Sequence, residues 1–496
     1  MNTYKKLASD TAIYGMSSII GRFLNWWLVP YYSRLFLPDV YAVVTNLYAY
    51  VAFLLILLTY GMETGFFRFA SKSDNPKKVY STSVISLFFT TISFILLLLV
   101  FKNDIAQLIN YEDHSEYILW LSIIVGLDAF TAIPFAKLRL ENRPLKFALI
   151  KFINIGFNIG FNLFFLSLCP YLLKQNPDSF VSVFYSPNIG VGYVLISNLL
   201  ATSITLILLL PEILKISFEF DKKLLLKMLD YSFPVLIVGL AGMVNQNIDK
   251  ILIPFLVHEE RDAMYQLGIY GANYKIAVLM NMFIQAFRYA FEPFFFSRGT
   301  AKDDKKVHAV IMNYFVIFGL LIFLGIMLYI DIVKILIDSS YHEGLKIVPI
   351  ILLANLFLGI YYALSLWYKL VDKTRYGAYI AIIGAIITLI LNIVLIPLLG
   401  YMGSAIAVFV CFFTMMVISY FMGQKFYPIS YNVKSIGMYT AVALALYFLS
   451  TLTTSFTAIY KFGLNTALFI VFLAYIYFKE KNSIKQILNF RKTVIK

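Results

Sequence analysis

Eight ionisable residues stand inside long apolar stretches of the chain: the bases Arg22, Lys151, Lys250, Lys275 and Arg288, and the acids Asp128, Asp249 and Glu292. A charge at hydrocarbon depth is costly and persists where it meets water, a partner or a cargo. Bases outnumber acids here. Guanidinium and ammonium groups in such a setting bind anions, with Arg able to grip a phosphate bidentately. An acid such as Asp128 can take up a proton or a small cation, or can serve as the partner of a base. Covalent chemistry has little to work with, since no Gly-rich phosphate cradle and no Ser-His-Asp set is present. Cys169 and Cys411 are not near His at metal-ligand spacing. His114, His258, His308 and His342 all fall in or beside expected loops, which leaves no buried imidazole for a metal or redox site. No cofactor is expected.

Spacing groups these residues on helix faces. In the first apolar helix Thr11, Tyr14, Ser18, Arg22 and Asn25 recur at three and four, forming one polar stripe with Arg22 near mid-depth. Asn245 and Asp249 share a face of the seventh helix, and Gln246 and Lys250 share the next one. As neighbours in sequence, Asp249 and Lys250 are not expected to pair directly. The eighth helix carries Asn281, Gln285, Arg288 and Glu292 along one face, with Arg288 and Glu292 spaced for an ion pair, while Lys275 lies on another. On the fifth, Lys151 leads Asn154, Asn158 and Asn162 beside Gly156-x-x-x-Gly160, a pattern of tight helix packing with amide glue.

These faces need helices that cross a membrane. Of the 496 residues 60% are hydrophobic and 14% charged, against about 25% charged in an average soluble domain. Apolar runs near 11–36, 40–63, 80–101, 117–137, 147–169, 190–211, 231–256, 265–295, 308–330, 347–368, 376–398, 402–422, 433–451 and 463–478 are each long enough to span a bilayer. The chain therefore reads as an all-α membrane protein with about fourteen spans. The start, Lys5 and Lys6 before an apolar stretch without a cleavage site, reads as a retained helix. Lys and Arg collect in alternate loops (Arg68 to Lys78, Lys137 to Lys146, Lys302 to Lys306, Lys479 to Lys496), while the intervening loops read acidic at Asp104 to Glu116 and at Glu259 to Asp262. That bias puts both termini in the cytoplasm. It also absorbs the net charge of +14, which otherwise would suggest nucleic acid; anionic membrane lipid is the expected partner. Prolines at 30, 134, 234, 254, 293 and 397 are expected to kink or end helices. The segment after Lys479 reads as an amphipathic helix on the membrane or as a basic tail.

Tyr41 to Tyr50 (YAVVTNLYAY) is echoed by Tyr265 to Tyr274 (YQLGIYGANY), six spans later. An even offset keeps both copies in one orientation, a parallel repeat. Residues 1–212 and 213–425 then form two six-helix lobes with a cavity between them, and 426–496 add two helices and a basic tail.

The stretches YGMSSIIGRFLNWWLVPYYSRLFLPDVYAVV and GMETGFFRF within Lys5 to Phe69, FPVLIVGLAGMVNQNIDKILI and GIYGANYKIA within Phe233 to Ala277, and LNIVLIPLLGYMGSAIA from Leu391 to Ala407 resemble a known family. They are similar to the polysaccharide flippases of the multidrug/oligosaccharidyl-lipid/polysaccharide exporter superfamily, among them the O-antigen flippases of lipopolysaccharide synthesis. Ala42 departs from the Gly usual after Tyr in the opening motif. The resemblance implies a V-shaped two-lobe fold in the bacterial inner membrane that moves a lipid-diphosphate-linked oligosaccharide outward, coupled to a proton or sodium gradient. Carried over by position are Arg22, Asp249, Lys250, Tyr274 and Lys275.

Arg22, Lys250, Lys275 and Arg288 are accordingly expected to bind the lipid-linked substrate, and Asp128, Asp249, Glu292, Asn245 and Gln285 to couple an ion or line the cavity, in a monomer. Two relatives stay open as alternatives: a flippase of lipid-linked peptidoglycan precursor, with the same span count and a cationic cavity, and a cation-coupled multidrug exporter, which favours carboxylates and twelve spans. A membrane glycosyltransferase fits poorly, because the longest outer segment, near 170–189, offers Asp178 as its only acid.

Overall fold

Helix starts are written into the sequence by proline and by short polar caps. Pro38, Pro76 and Pro144 open helices at the first turn, where a missing N–H costs nothing. Asn75 caps the helix that Pro76 opens, and Asp221 and Asn432 cap two others, by accepting from the backbone N–H of Lys78, Leu224 and Ser435 at 3.2, 3.0 and 3.1 Å. The Asp221 carboxylate also meets Lys78 at 2.8 Å, and that hydrogen bond leads the interactions holding its pKa down to about 2.

A computed structural model describes residues 15, 19–257, 260–298, 302–452 and 457–494. Its α-helices in chain order are α1 (Leu28–Leu35), α2 (Pro38–Thr59), α3 (Met62–Ala70), α4 (Pro76–Val100), α5 (Lys102–Leu108), α6 (Glu116–Leu140), α7 (Pro144–Leu163), α8 (Cys169–Gln175), α9 (Gly192–Ile213) and α10 (Lys222–Leu256). They continue as α11 (Glu260–Arg298), α12 (Lys302–Leu328), α13 (Ile330–Val333), α14 (Val348–Leu364), α15 (Leu366–Leu370), α16 (Arg375–Leu399), α17 (Tyr401–Phe426), α18 (Val433–Thr451) and α19 (Ala458–Val494). Among the described residues there is no strand, and 12 helices are long and apolar enough to cross a membrane. The two further spans expected from the sequence fall on residues 19–35 and on α11. An all-α membrane bundle is what lipid permits, because every backbone group is satisfied within its own helix.

The chain divides into two compact units, one bounded by Met1–Ala272 and Ala381–Ala407, the other by Asn273–Ile380 and Val408–Lys496. In the first, α4 packs on α6, α9 on α6 and α7, and α10 on α2, α3 and α4. Between α2 and α3 the chain turns at Tyr60 and Gly61, both left-handed with φ of 37° and 69°. Glycine takes this conformation without strain. The start of α11 crosses the start of α2 so closely that a Cβ on Gly268 would meet the Pro38 carbonyl. In the second unit α12 packs on α14, α18 and α19, and α18 on α19. Glu480 of α19 is buried there, accepting from Tyr439 Oη at 2.6 Å and Asn313 Nδ2 at 2.9 Å.

Two expectations change. His308 is buried, because α12 begins at Lys302 and carries it two turns inward; its Nδ1 lies 3.1 Å from Tyr431 Oη. Gly156 and Gly160 touch no neighbouring helix within 4 Å, so they do not mediate tight packing. Instead Gly21 of the first helix receives Ile155 of α7. Of the prolines expected to kink or end helices, Pro134, Pro234, Pro254 and Pro397 lie inside continuous helices. His258 and Glu259 lie outside the described residues.

Adding a side chain at the α2–α11 crossing is thus expected to overpack it. Gly268→Val should lower the thermal stability of the detergent-solubilised protein by an amount typical of overpacking, about 1–3 kcal/mol or more, while Gly156→Ala should leave it unchanged; size-exclusion survival after heating reads both.

Candidate functional site

In the first unit α2, α3, α6, α7 and α9 enclose an open pocket of about 490 Å³ whose polar lining includes Glu63, Asp128, Arg139, Lys151, Asn154 and Asn198 with threonines of α2, α6 and α9. Each charge has a distinct setting. Glu63 and Arg139 form an ion pair across α3 and α6. Lys151 is exposed to the pocket and places its ammonium 4.1 Å from the Phe135 ring centre, an attractive cation–π arrangement. Asp128, half-buried, lines the same pocket beside Thr202 and attracts Lys151 across the cavity. Asn198 donates to Tyr48 Oη at 2.7 Å and accepts from Thr202 at 3.3 Å, so α2 and α9 share one polar seam. Asp128 and Lys151 are therefore brought to one site, as a carboxylate with a base in reach and room for a small ion.

The polar face of α7 continues beyond the pocket. Asn154 bonds Thr205 of α9 at 2.9 Å, Asn158 bonds Asn25 of the first helix at 3.4 Å, and Asn162, fully buried, accepts from Tyr32 Oη at 2.8 Å. The expected amide glue is real, each rung reaching a different partner. Arg22, three residues before Asn25, is exposed on that helix, with no ion pair among the described residues. The upper members of its stripe, Thr11, Tyr14 and Ser18, lie outside the described residues.

Asp249 and Lys250 behave otherwise than their spacing suggests. They do pair: Lys250 Nζ lies 3.1 Å from Asp249 Oδ1 and 2.8 Å from the Gln246 carbonyl. The physical reason is that a lysine arm leans back over the turn N-terminal to its own Cα and can curl onto its neighbour's carboxylate. Both residues are buried, at 8% and 1% exposure. Tyr270 of α11 donates to the other carboxylate oxygen, and Asn46 of α2 donates to the Lys250 carbonyl at 2.8 Å, itself held by Tyr111. Sequence spacing does not single out Tyr270, Asn46 or Tyr111; the recurrence of the Tyr41 and Tyr265 segments is the one signal that touches Asn46 and Tyr270, and none touches Tyr111. Asn245 joins α10 to α16, donating to the Ala381 carbonyl at 3.1 Å and accepting from Thr388 at 3.3 Å.

In the second unit Lys275 is exposed and Gln285 half-buried on α11. The Arg288 guanidinium stacks over the Tyr362 ring at 4.2 Å. Glu292 belongs to α11, but its side chain lies outside the described residues, as does its expected pairing with Arg288. Among the described residues no three His, Cys, Asp or Glu side chains could hold a metal ion.

Apolar spans carrying enclosed, partly compensated charges define a multi-pass membrane protein. The fold is similar to that of the lipid II flippase MurJ in an inward closed conformation, with a TM-score of 0.69 at 15% identity over 94% of this chain and 99% of that one. It is also similar to the MATE multidrug transporter DinF-BH (TM-score 0.59, 15% identity, 84% of this chain and 95% of that one). An inward-facing multidrug resistance MATE family transporter of the MOP superfamily matches with a TM-score of 0.56 at 12% identity, over 84% of this chain and 94% of that one. The chain belongs to the polysaccharide biosynthesis protein family, whose pattern matches residues 7–298. No curated protein matches its sequence.

Removing one partner of a buried ion pair strands the other charge. Asp249→Asn is expected to destabilise the protein by about 3–5 kcal/mol, and the double change Asp249→Asn with Lys250→Met should recover most of that loss in the same thermal assay.

Proposed function

We propose that the protein carries a lipid-diphosphate-linked oligosaccharide from the inner to the outer leaflet of a bacterial inner membrane, for surface polysaccharide of the O-antigen kind, with both termini cytoplasmic. Arg22 carries this reading. It is an exposed guanidinium near the middle of an apolar helix, on a face made polar by Asn25 and Asn158, and it has no carboxylate partner among the described residues. At that depth a guanidinium calls for an anion, and a diphosphate matches its planar fork. Membership of the polysaccharide biosynthesis family supports a glycan cargo. MurJ, a flippase of lipid II by name, supports the carriage of lipid-linked sugars on this fold.

Arg288, Lys275 and Lys250 supply the remaining cations in an alternating-access cycle through a cationic cavity. Lys250 is held by Asp249 at rest, so a diphosphate that draws on it leaves Asp249 to Tyr270. Asp128 is the coupling group: binding a proton or sodium ion neutralises it and loosens its hold on Lys151. Glu292, Gln285 and Asn245 are assigned to the polar lining.

Arg22→Gln and Arg288→Gln should each cut surface glycan about ten-fold or more, the loss of one charged hydrogen-bonded contact, with membrane protein levels held; immunoblots of glycan and protein read the two. Unchanged display in both variants rules the cargo role out. In proteoliposomes Asp128→Asn should make glycolipid movement insensitive to an imposed pH or sodium gradient that drives the unaltered protein.

A further inference from the structure

Glu212, in the last turn of α9, is sealed from solvent at 0% exposure, yet four cations gather on it. Lys146 Nζ is 2.6 Å away, Arg143 2.7 Å, Lys215 3.2 Å and Lys137 3.4 Å. Tyr80 donates to the Glu212 carbonyl at 2.9 Å, and its ring lies 4.4 Å from the Lys137 ammonium. Glu141 adds a second carboxylate, 3.8 Å from Lys137 and 3.6 Å from Arg143. Four cations against two carboxylates leave a surplus of two positive charges. One base would neutralise Glu212. The carboxylate instead collects them from beneath, while Arg143, Lys146 and Lys215 keep side-chain exposures of 40%, 28% and 56% and donors to spare.

Depth says what those donors face. A helix the length of α9, 22 residues, covers about 33 Å, so its last turn lies at the edge of the hydrocarbon, level with lipid phosphates. The residues interleaved with the cations are large, apolar and exposed: Leu145 at 72%, Leu149 at 59%, Leu214 at 74% and Phe218 at 80%. Phe218 also holds a left-handed backbone with φ of 52°, unfavourable for a bulky residue, and its ring projects out of the protein. A merely solvated basic loop would have no use for such side chains.

We propose that this end of α9 is a binding site for the phosphodiester headgroup of an anionic glycerophospholipid, held by Arg143, Lys146 and Lys215, with the acyl chains against Leu145, Leu214 and Phe218. It rests on the reading that the α6–α7 turn faces the cytoplasm, where anionic lipid is concentrated. It does not depend on which cargo the protein carries.

Native mass spectrometry of the purified full chain, titrated with phosphatidylglycerol and separately with phosphatidylethanolamine, tests it. The triple variant Arg143→Gln, Lys146→Gln, Lys215→Gln should bind its first phosphatidylglycerol more weakly by about ten-fold or more with phosphatidylethanolamine unaffected, whereas Arg143→Lys with Lys146→Arg should bind as the unaltered chain does. Leu214→Gln with Phe218→Gln leaves the ion pairs around Glu212 in place and should weaken the same event. Equal phosphatidylglycerol binding by the unaltered chain and either weakened variant overturns the site. So does displacement of that lipid by substoichiometric undecaprenyl diphosphate, which would give these cations to the cargo. Glycan display is not read, so failure of the transport reading would leave this result standing.

Discussion

A charge enclosed by lipid has no water to solvate it, so how far each charge inside the membrane is compensated decides what it can do. Asp249 is the complete case. Its two oxygens are taken by Lys250 and Tyr270, and the next carbonyl is capped by Asn46, so α2, α10 and the start of α11 meet at one neutral knot. Asp128 and Lys151 are compensated across open space, with Thr202 on one side and an aromatic face on the other. Arg22 has no acid at all among the described residues. Along this series the charges pass from architecture to availability, and availability is what a carrier requires.

Neutral polar groups do the joining. Apolar helices gain little by meeting one another in lipid, since the tails are as apolar as leucine, and association leans on packing and hydrogen bonds. The asparagines of α7 distribute their bonds to α9, α1 and the turns before it, while Asn245, Thr388 and Asn392 stitch α10 to α16 and α17. These bonds cost little to exchange compared with a buried ion pair, which suits helices that must shift against each other without separating.

Much of the fold was legible because lipid restricts the choices. Span lengths and the polar faces of the fifth and seventh helices followed from composition and period alone. What escaped was contact chemistry that period does not encode. Angular separation argues against an Asp249–Lys250 pair, since a helical wheel has no side-chain length in it. Gly156 and Gly160 matched a packing motif, but the neighbouring helix approaches at Ile155, one residue around. The charged run before His308 hides the start of α12, so the sequence puts His308 at the edge of a loop. Asn46 and Tyr270 look like ordinary residues of apolar helices, and Tyr111 like an ordinary loop tyrosine, until the fold links them to the Asp249–Lys250 pair.

The bare glycine face of α7 has a use of its own. Cys169 and Cys411 are both fully buried, so the native thiols are screened from water-soluble maleimides. A Cβ added at Gly156 or Gly160 would meet no side chain or neighbouring helix within 4 Å, and the helix loosens into a wider π-turn at Phe164–Leu168 just beyond. A cysteine introduced on that face would offer a single attachment point for a spin label or dye, on the very helix that carries Lys151, with the wild-type sulfurs left in place.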